Sequence, residues 1–433
     1  MNEFKNSQRR VITRRGVIWL GQTCNLHCHF CYFLDRIKHQ SHPEHPFMSL
    51  EKAKRVCKTL VDFYHNNSID IQGGEPTIYS DIYELVMYCR EIGLLPTLIT
   101  NALILSNKDA CLKLKDAGVR DFLISVHGLG NAFDTIVGVK GAHGKQMRAL
   151  DNLVDIGVPF RFNSVLSKLA LPQLSGIARL AVEKGARAVN FIAFNPFEDQ
   201  RKEGKRSDKN VPRYRDVSGP LVEALDILTD AGVEVNVRYF PFCMVPDRHW
   251  KSIYNFQQLT YDIHEWDFAS WSWTGMRPQR MRDGDLSPVI SLEEASYTPV
   301  KYPGVIQHAA ERLHAAFSSS PRLLSAAESI NRKLSSMVLR KQEESASCLD
   351  SREQLYRTNA RLRAESHCGY IYAERCRSCS LKQVCDGFHG DYAALFGADE
   401  ATCIELPQSV DDPKHFIGSQ WKVVEEEDFY WAL

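Results

Sequence analysis

Val17-Ile18-Trp19-Leu20 leads through Gly21, Gln22 and Thr23 into Cys24-Asn25-Leu26-His27-Cys28-His29-Phe30-Cys31. The first four residues are apolar and β-rich and read as a strand. The stretch after them reads as a loop carrying thiols at a CxxxCxxC spacing. In parallel α/β sheets and barrels, ligands bind beyond the carboxyl ends of the strands, which is where this loop leaves its strand. Thiolates are soft ligands suited to iron–sulfur clusters, and three of them leave one iron of a cubane open. A structural zinc ion wants four closed ligands, and His27 or His29 could complete such a set. The loop by itself admits both metals.

Outward from this loop, short β-branched or aromatic runs alternate with amphipathic stretches as far as about residue 195. That alternation signifies repeated βα units and a parallel sheet. The expected strands are Val17 to Leu20, Ile69 to Gln72, Leu95 to Thr100, Phe122 to Val126, Phe160 to Val165 and Ala188 to Phe194. Ser49 is placed to cap a helix reaching about Tyr64, Pro172 suits a first helical turn, and Gly93, Gly118, Gly157 and Gly185 stand where helices should stop. Right-handed βα units either open into a doubly wound sheet or curl into a barrel, and periodicity does not choose. The second strand ends in Gly73-Gly74-Glu75-Pro76. Glycines there admit a close approach of ligand to backbone.

With its thiol loop after the first strand and Gly73-Gly74-Glu75-Pro76 after the second, the chain resembles the radical S-adenosylmethionine (SAM) superfamily. The resemblance implies an α/β fold, a partial (βα)6 TIM barrel, with Cys24, Cys28 and Cys31 on a catalytic [4Fe-4S] cluster. It implies that Gly73, Gly74 and Glu75 meet the SAM amino group and that Tyr32 lies near the adenine. Thr100, Asn101, Ser125 and Asn163, at later strand ends, correspond to groups that meet the ribose or carboxylate of SAM in similar enzymes. Each also has a plainer role open to it, satisfying backbone groups. An electron donor such as flavodoxin or ferredoxin is implied as a partner.

A second thiol array is Cys376-Arg377-Ser378-Cys379, then Cys385, followed by Gly387, Tyr392 and Gly397. Its CxxCx5C spacing resembles the SPASM or twitch extensions of the same superfamily, which bind auxiliary [4Fe-4S] clusters. Where a full SPASM pattern has a further cysteine, this chain has His389, so one auxiliary cluster is expected rather than two. The fourth ligand has three candidates: Cys243 in a Phe-Pro-Phe-Cys turn, Cys368 and Cys403, of which Cys243 is preferred. A zinc knuckle is the alternative for this array.

The organisation expected is an N-terminal extension (1–15), a radical SAM partial barrel (16–215), an extra helix and strand with an aromatic segment and a helical insertion (216–366), and a C-terminal auxiliary-cluster subdomain with a tail (367–433). Leu221 to Ala231 should be helical and Val233 to Tyr239 a strand. Residues 201–215 carry seven basic and two acidic side chains and read as an exposed connection. Trp250, Trp266, Trp271 and Trp273 mark the aromatic segment, and Ile330, Leu334 and Met337 fall at helical spacing within the insertion. The acidic, aromatic tail Glu425 to Trp431 reads as a solvated terminus.

The chain has 433 residues with 53 basic and 53 acidic side chains, so no global field draws it to nucleic acid or an anionic membrane. No apolar run reaches the roughly 18 residues of a membrane helix. A cytoplasmic protein is expected, and 13 cysteines in a reducing compartment point to metal where they cluster. Cys57, Cys89 and Cys111 instead sit on apolar helical faces and read as core. The substrate is expected to be a ribosomally made peptide undergoing maturation or a small metabolite undergoing dehydrogenation or dehydration. A zinc-dependent nucleic-acid adaptor using residues 201–215 and the aromatic segment is the reading from a different class.

Overall fold

The computed structural model describes residues 6–7, 15–21, 23–31, 46–62, 67–194, 206–255, 266–267, 370–411, 414–417 and 422–423. Tyr32, Cys368, the helical insertion and the acidic tail therefore lie outside the described residues. The chain divides into two units, Met1–Pro278 with Cys368–Leu433, and Gln279–His367; every structural statement below concerns the first.

A two-residue strand β1 (Asn6–Ser7) is followed by β2 (Arg15–Trp19), β3 (Ser68–Gln72), β4 (Leu95–Thr100), β5 (Asp121–Ser125), β6 (Phe160–Leu166), β7 (Ala188–Ala193), β8 (Glu234–Arg238), and the short β9 (Ile253–Tyr254) and β10 (Trp266–Asp267). β11 (Lys422–Val423) pairs antiparallel with β1. The main sheet runs β10-β2-β3-β4-β5-β6-β7-β8-β9, and every pairing in it is parallel. Residues of β2 through β8 line one cavity, so the sheet curls round it. Its edge strands β9 and β10 are not paired with each other, which leaves the barrel partial. The six expected strands are present within a residue or two of their expected ends.

Helices α1 (Leu50–Asp62), α2 (Ile82–Glu91), α3 (Lys108–Ala117), α4 (Gly130–Val137), α5 (Ala142–Ile156), α6 (Leu174–Lys184) and α7 (Tyr214–Asp230) connect the strands. Ser49 Oγ accepts from Lys52 N at 3.4 Å at the start of α1, and α3, α5 and α6 end at Gly118, Gly157 and Gly185. Strand alternation sorts the side chains: in β6, Phe160, Phe162, Ser164 and Leu166 are buried outward, whereas Arg161, Asn163 and Val165 line the cavity. Cys57, Cys89 and Cys111 are fully buried, and Cys57 Sγ lies 3.7 Å from Cys89 Sγ.

Two expectations change. β8 continues the parallel sheet beside β7, so a division at residue 215 would fall inside α7, a helix of the barrel. Residues 206–215 are only partly an exposed connection: Arg206, Val211 and Tyr214 are buried, while Asp208, Lys209 and Arg215 are exposed. Arg213 and Arg215 instead help to dock the C-terminal segment. Glu400, its side chain 1% exposed, lies 3.3 Å from Arg213 Nη1 and 3.7 Å from Arg215 Nε. Its Oε2 also accepts from Arg215 N at 2.9 Å. Tyr392, on α8 (Gly390–Phe396), stacks on Tyr214 at 3.8 Å. Its hydroxyl accepts from Tyr214 N at 2.8 Å and donates to Glu400 Oε1 at 3.0 Å. Part of a basic stretch read as a solvated loop is thus held by a buried carboxylate, while the Arg213 and Arg215 side chains stay 43% and 60% exposed.

Candidate active site

The thiol loop is fixed to the barrel along its backbone. His27 N donates to Val137 O at 2.8 Å and His29 N to Ile136 O at 3.2 Å, so the end of α4 clamps it. Leu26 anchors it in an apolar cluster with Leu103, Phe133, Ile136 and Val137, against which Cys24, Cys28 and Phe30 pack. Glu75 N donates to Thr23 O at 2.9 Å, tying the loop to the turn after β3.

Cys24, Cys28 and Cys31 line a cavity of ≈ 520 Å³ together with Gly73, Gly74, Glu75, Thr100, Asn101, Ser125 and Asn163. His27 and His29, the residues that could complete a zinc site, are not among its lining. His29 Nδ1 lies 3.3 Å from Ile136 O instead. Burial, followed by the charge of Glu75, pushes the Cys24 thiol up to about 12, and burial also raises that of Cys28. Thiols so placed ionise only with a positive partner, which a metal centre supplies. Among the described residues no three His, Cys, Asp or Glu side chains converge as ligands of a single ion.

Gly73 has φ +101°, and a Cβ there would stand 2.8 Å from Gly21 O and 2.9 Å from Leu20 N. The glycine is thus required by the neighbouring strand's backbone as well as by any ligand. Glu75 is 1% exposed. Its Oε1 accepts from Thr77 N at 3.0 Å, Thr77 Oγ1 at 2.6 Å and Thr100 Oγ1 at 2.6 Å, and its Oε2 from Asn101 N at 2.7 Å. All four donors are neutral. Burial raises the Glu75 pKa and these donors pull against it. The Asn101 side chain is engaged by Asn25 Oδ1 at 2.7 Å and by Leu103 N at 3.0 Å. The next residue, Ala102, takes φ +65°, a conformation that costs a non-glycine residue energy and that tightly bound neighbours must enforce.

A second, small cavity is lined by Cys243, Cys376, Cys379 and Cys385. The Phe-Pro-Phe-Cys turn after β8 brings Cys243 there. Cys385 Sγ accepts from Gly387 N at 3.4 Å. Burial raises the thiols of Cys243, Cys376 and Cys385. Cys403 does not line this cavity; its sulfur lies 3.5 Å from Ser378 Oγ. The two cavities share connecting segments. Tyr239 lines the first and takes φ +63°, four residues before Cys243. His389 also lines the first, four residues after Cys385. Its Nδ1 accepts from Asp391 N at 3.2 Å, and burial lowers its pKa to about 4.

The sequence profile of the Radical SAM superfamily matches residues 20–168. Over these residues, about a third of the chain, the protein is similar to radical SAM domains. The AdoMet-dependent heme synthase of Oleidesulfovibrio alaskensis is 29% identical over 184 residues, covering 42% of this chain and 46% of that protein. The probable GTP 3',8-cyclase of Sulfurisphaera tokodaii is 29% identical over 182 residues, 41% of this chain and 55% of that protein. The chain therefore spans about half the length of these curated relatives. The crystal structure of Streptococcus suis SuiB is similar over 52% of this chain and 49% of its own, with 21% identity and a TM-score of 0.43.

Several cavity residues escaped the sequence reading: Arg161, Asn190, Arg238, Arg206 and Tyr370. Asn190 left a signal as the one polar residue of an otherwise apolar strand, and Arg161 and Arg238 left one as members of an alternating polar face, with Asn163 in β6 and with Asn236 in β8. Arg206 left none, because its burial over Phe194, with guanidinium 4.8 Å from the ring centroid, depends on the barrel being formed.

Proposed function

We propose that this protein is a radical SAM enzyme in which Cys24, Cys28 and Cys31 hold a [4Fe-4S] cluster with one iron open to SAM. The observation that carries this reading is the convergence of the three loop thiols with Gly73, Gly74 and Glu75 on one cavity at the carboxyl ends of the strands. The cluster and SAM, when bound, would supply a 5′-deoxyadenosyl radical that takes hydrogen from the substrate. Glu75 offers a buried carboxylate with only neutral donors around it, which suits the SAM ammonium. Thr100, Thr77 and Asn101 hold that carboxylate in place, and the hydrogen bond from Glu75 N to Thr23 O keeps it in register with the thiol loop. Ser125 and Asn163, further along the sheet, face the cavity and orient the ribose or carboxylate. Apolar cover from Phe30 and Phe194 helps to keep water from the reacting carbon.

Cys243, Cys376, Cys379 and Cys385 hold one auxiliary [4Fe-4S] cluster, a reading supported by their common cavity. A flavodoxin or ferredoxin delivers the electron. The substrate is a peptide in maturation or a small metabolite.

Anaerobic reconstitution with iron and sulfide, followed by SAM and dithionite, tests the assignment. About eight iron per chain and formation of 5′-deoxyadenosine are expected. Replacing Cys24, Cys28 and Cys31 with Ala should abolish the cleavage. Bound zinc, with no iron uptake and no 5′-deoxyadenosine, would overturn it.

A further inference from the structure

The two halves of the main cavity differ in charge. Its carboxylates, Asp70 and Glu75, come from β3 and the turn that ends it. The wall made by β6, β7 and β8 presents Arg161, Asn163, Asn190 and Arg238 and, among the described residues that line the cavity, no carboxylate; Glu234 of β8, outside that lining, accepts from Asn236 Nδ2 at 3.4 Å. The interior of a closed βα barrel is normally packed with branched apolar side chains. Here Ser125, Asn163, Asn190 and Asn236 are successive register partners across β5 to β8 and form one polar rung.

The groups on this wall are supported from behind. Arg161 Nε donates to Asp121 Oδ2 at 2.8 Å, and Asp121 Oδ1 also lies 3.7 Å from Arg120 Nε. One carboxylate thus serves two guanidiniums. Burial opposes the charge of Asp121, yet Arg161 and Arg120 hold its carboxyl well below the usual range, so the trio keeps a net positive charge. Arg161 Nη2 is buried and has no hydrogen-bond partner among the described residues. Asn190 Oδ1 accepts from Asn236 Nδ2 at 3.0 Å, which leaves the Asn190 amide NH2 as the group to offer the cavity. The histidines that line the cavity add no charge near neutrality, since burial lowers His127 to about 3 and His389 to about 4.

We infer that the β6–β8 wall is an anion subsite, in which Arg161, Asn190 and Arg238 hold a carboxylate or phosphate group of the substrate. A guanidinium backed by a buried carboxylate is pre-oriented for such oxyanions, and an adjacent amide donor adds direction. The bound group would fix the substrate on the wall away from Glu75, with its reacting C–H turned towards the half that holds Cys24. Identifying the ligand as substrate rests on the radical SAM reading; binding of the anion does not.

The test uses the reconstituted full-length protein and three small probes, acetate, methylphosphonate and the neutral acetamide, titrated by saturation-transfer NMR. At least one anion should bind about tenfold or more tightly than acetamide. A tighter acetate marks a carboxylate substrate, and a tighter methylphosphonate a phosphorylated one. Arg161→Gln and Asn190→Asp should each weaken the preferred anion about tenfold or more, with Arg161→Lys recovering part of the loss. Asn190→Asp keeps the acceptor for Asn236 while turning a charge to the cavity, so it carries the test if loss of Arg161 unfolds the protein. Anions that bind no better than acetamide, or that bind equally well to Asn190→Asp, would overturn the subsite. Formation of 5′-deoxyadenosine is scored separately. Its absence alongside selective anion binding removes the enzyme reading and leaves the anion site standing, whereas its presence without selective binding removes only the subsite.

Discussion

The two thiol sites are assembled in opposite ways. Cys24, Cys28 and Cys31 lie on one short loop, pinned to the end of α4 and to the turn after β3 by backbone hydrogen bonds. Cys243 reaches the second cavity from the turn after β8, whereas Cys376, Cys379 and Cys385 reach it from beyond residue 369. A local site is written as a spacing, and its geometry follows from one loop. A site composed of distant segments exists only when both are docked on the same body, which here depends on Tyr392, Tyr214 and Glu400.

The sharpest way to break this comparison is to remove the distant ligand. Cys243→Ala should lose the auxiliary iron, about four per chain, while keeping the first cluster, and Cys403→Ala should keep both. Iron and sulfide analysis on the purified variants reads this directly. Full auxiliary iron in Cys243→Ala would mean that the second site is as local as the first.

A smaller effect is expected at the turn beside the first site. Gly73→Ala would force a side chain into φ +101° against the backbone of Leu20 and Gly21. A destabilisation of about 3 kcal/mol should follow, measured by denaturant unfolding. An unchanged midpoint would show that the β2–β3 approach is looser than the structure has it.

The smallest effect concerns pH on the C-terminal side. His389 has a folded pKa of about 4, against an unfolded value of about 6.5. The unfolded chain binds the proton first, so this contribution is fully present above pH ~6.5 and is lost as pH falls through ~4. Between pH 7 and 5 the loss should be about 2 kcal/mol. His389→Asn, which keeps an acceptor for Asp391 N, should remove that part of the pH dependence; urea unfolding at the two pH values checks it. Parallel pH profiles for the variant and wild type would place the acid sensitivity elsewhere.

The strands of the barrel were legible because β-branched runs and glycine stops are local signals, and β2 to β7 follow them closely. The thiol loop and Gly73-Gly74-Glu75 were legible for the same reason. Less legible was residue 206–215, where seven basic side chains over 201–215 suggested solvent. The pairing of Arg213 and Arg215 depends on Glu400, which is far away in sequence, and the burial of Arg206 depends on the formed barrel.

The sequence by itself determined the parallel βα order, the thiol spacings and the superfamily they resemble, because each rests on neighbours along the chain. Only the tertiary structure decided that Cys243 shares a cavity with Cys376, Cys379 and Cys385, while Cys403 does not line it. It also decided that β6 to β8 face the main cavity with guanidinium and amide groups. Strand alternation says which residues share a face, but the curl of the sheet decides which face encloses a cavity and what meets across it.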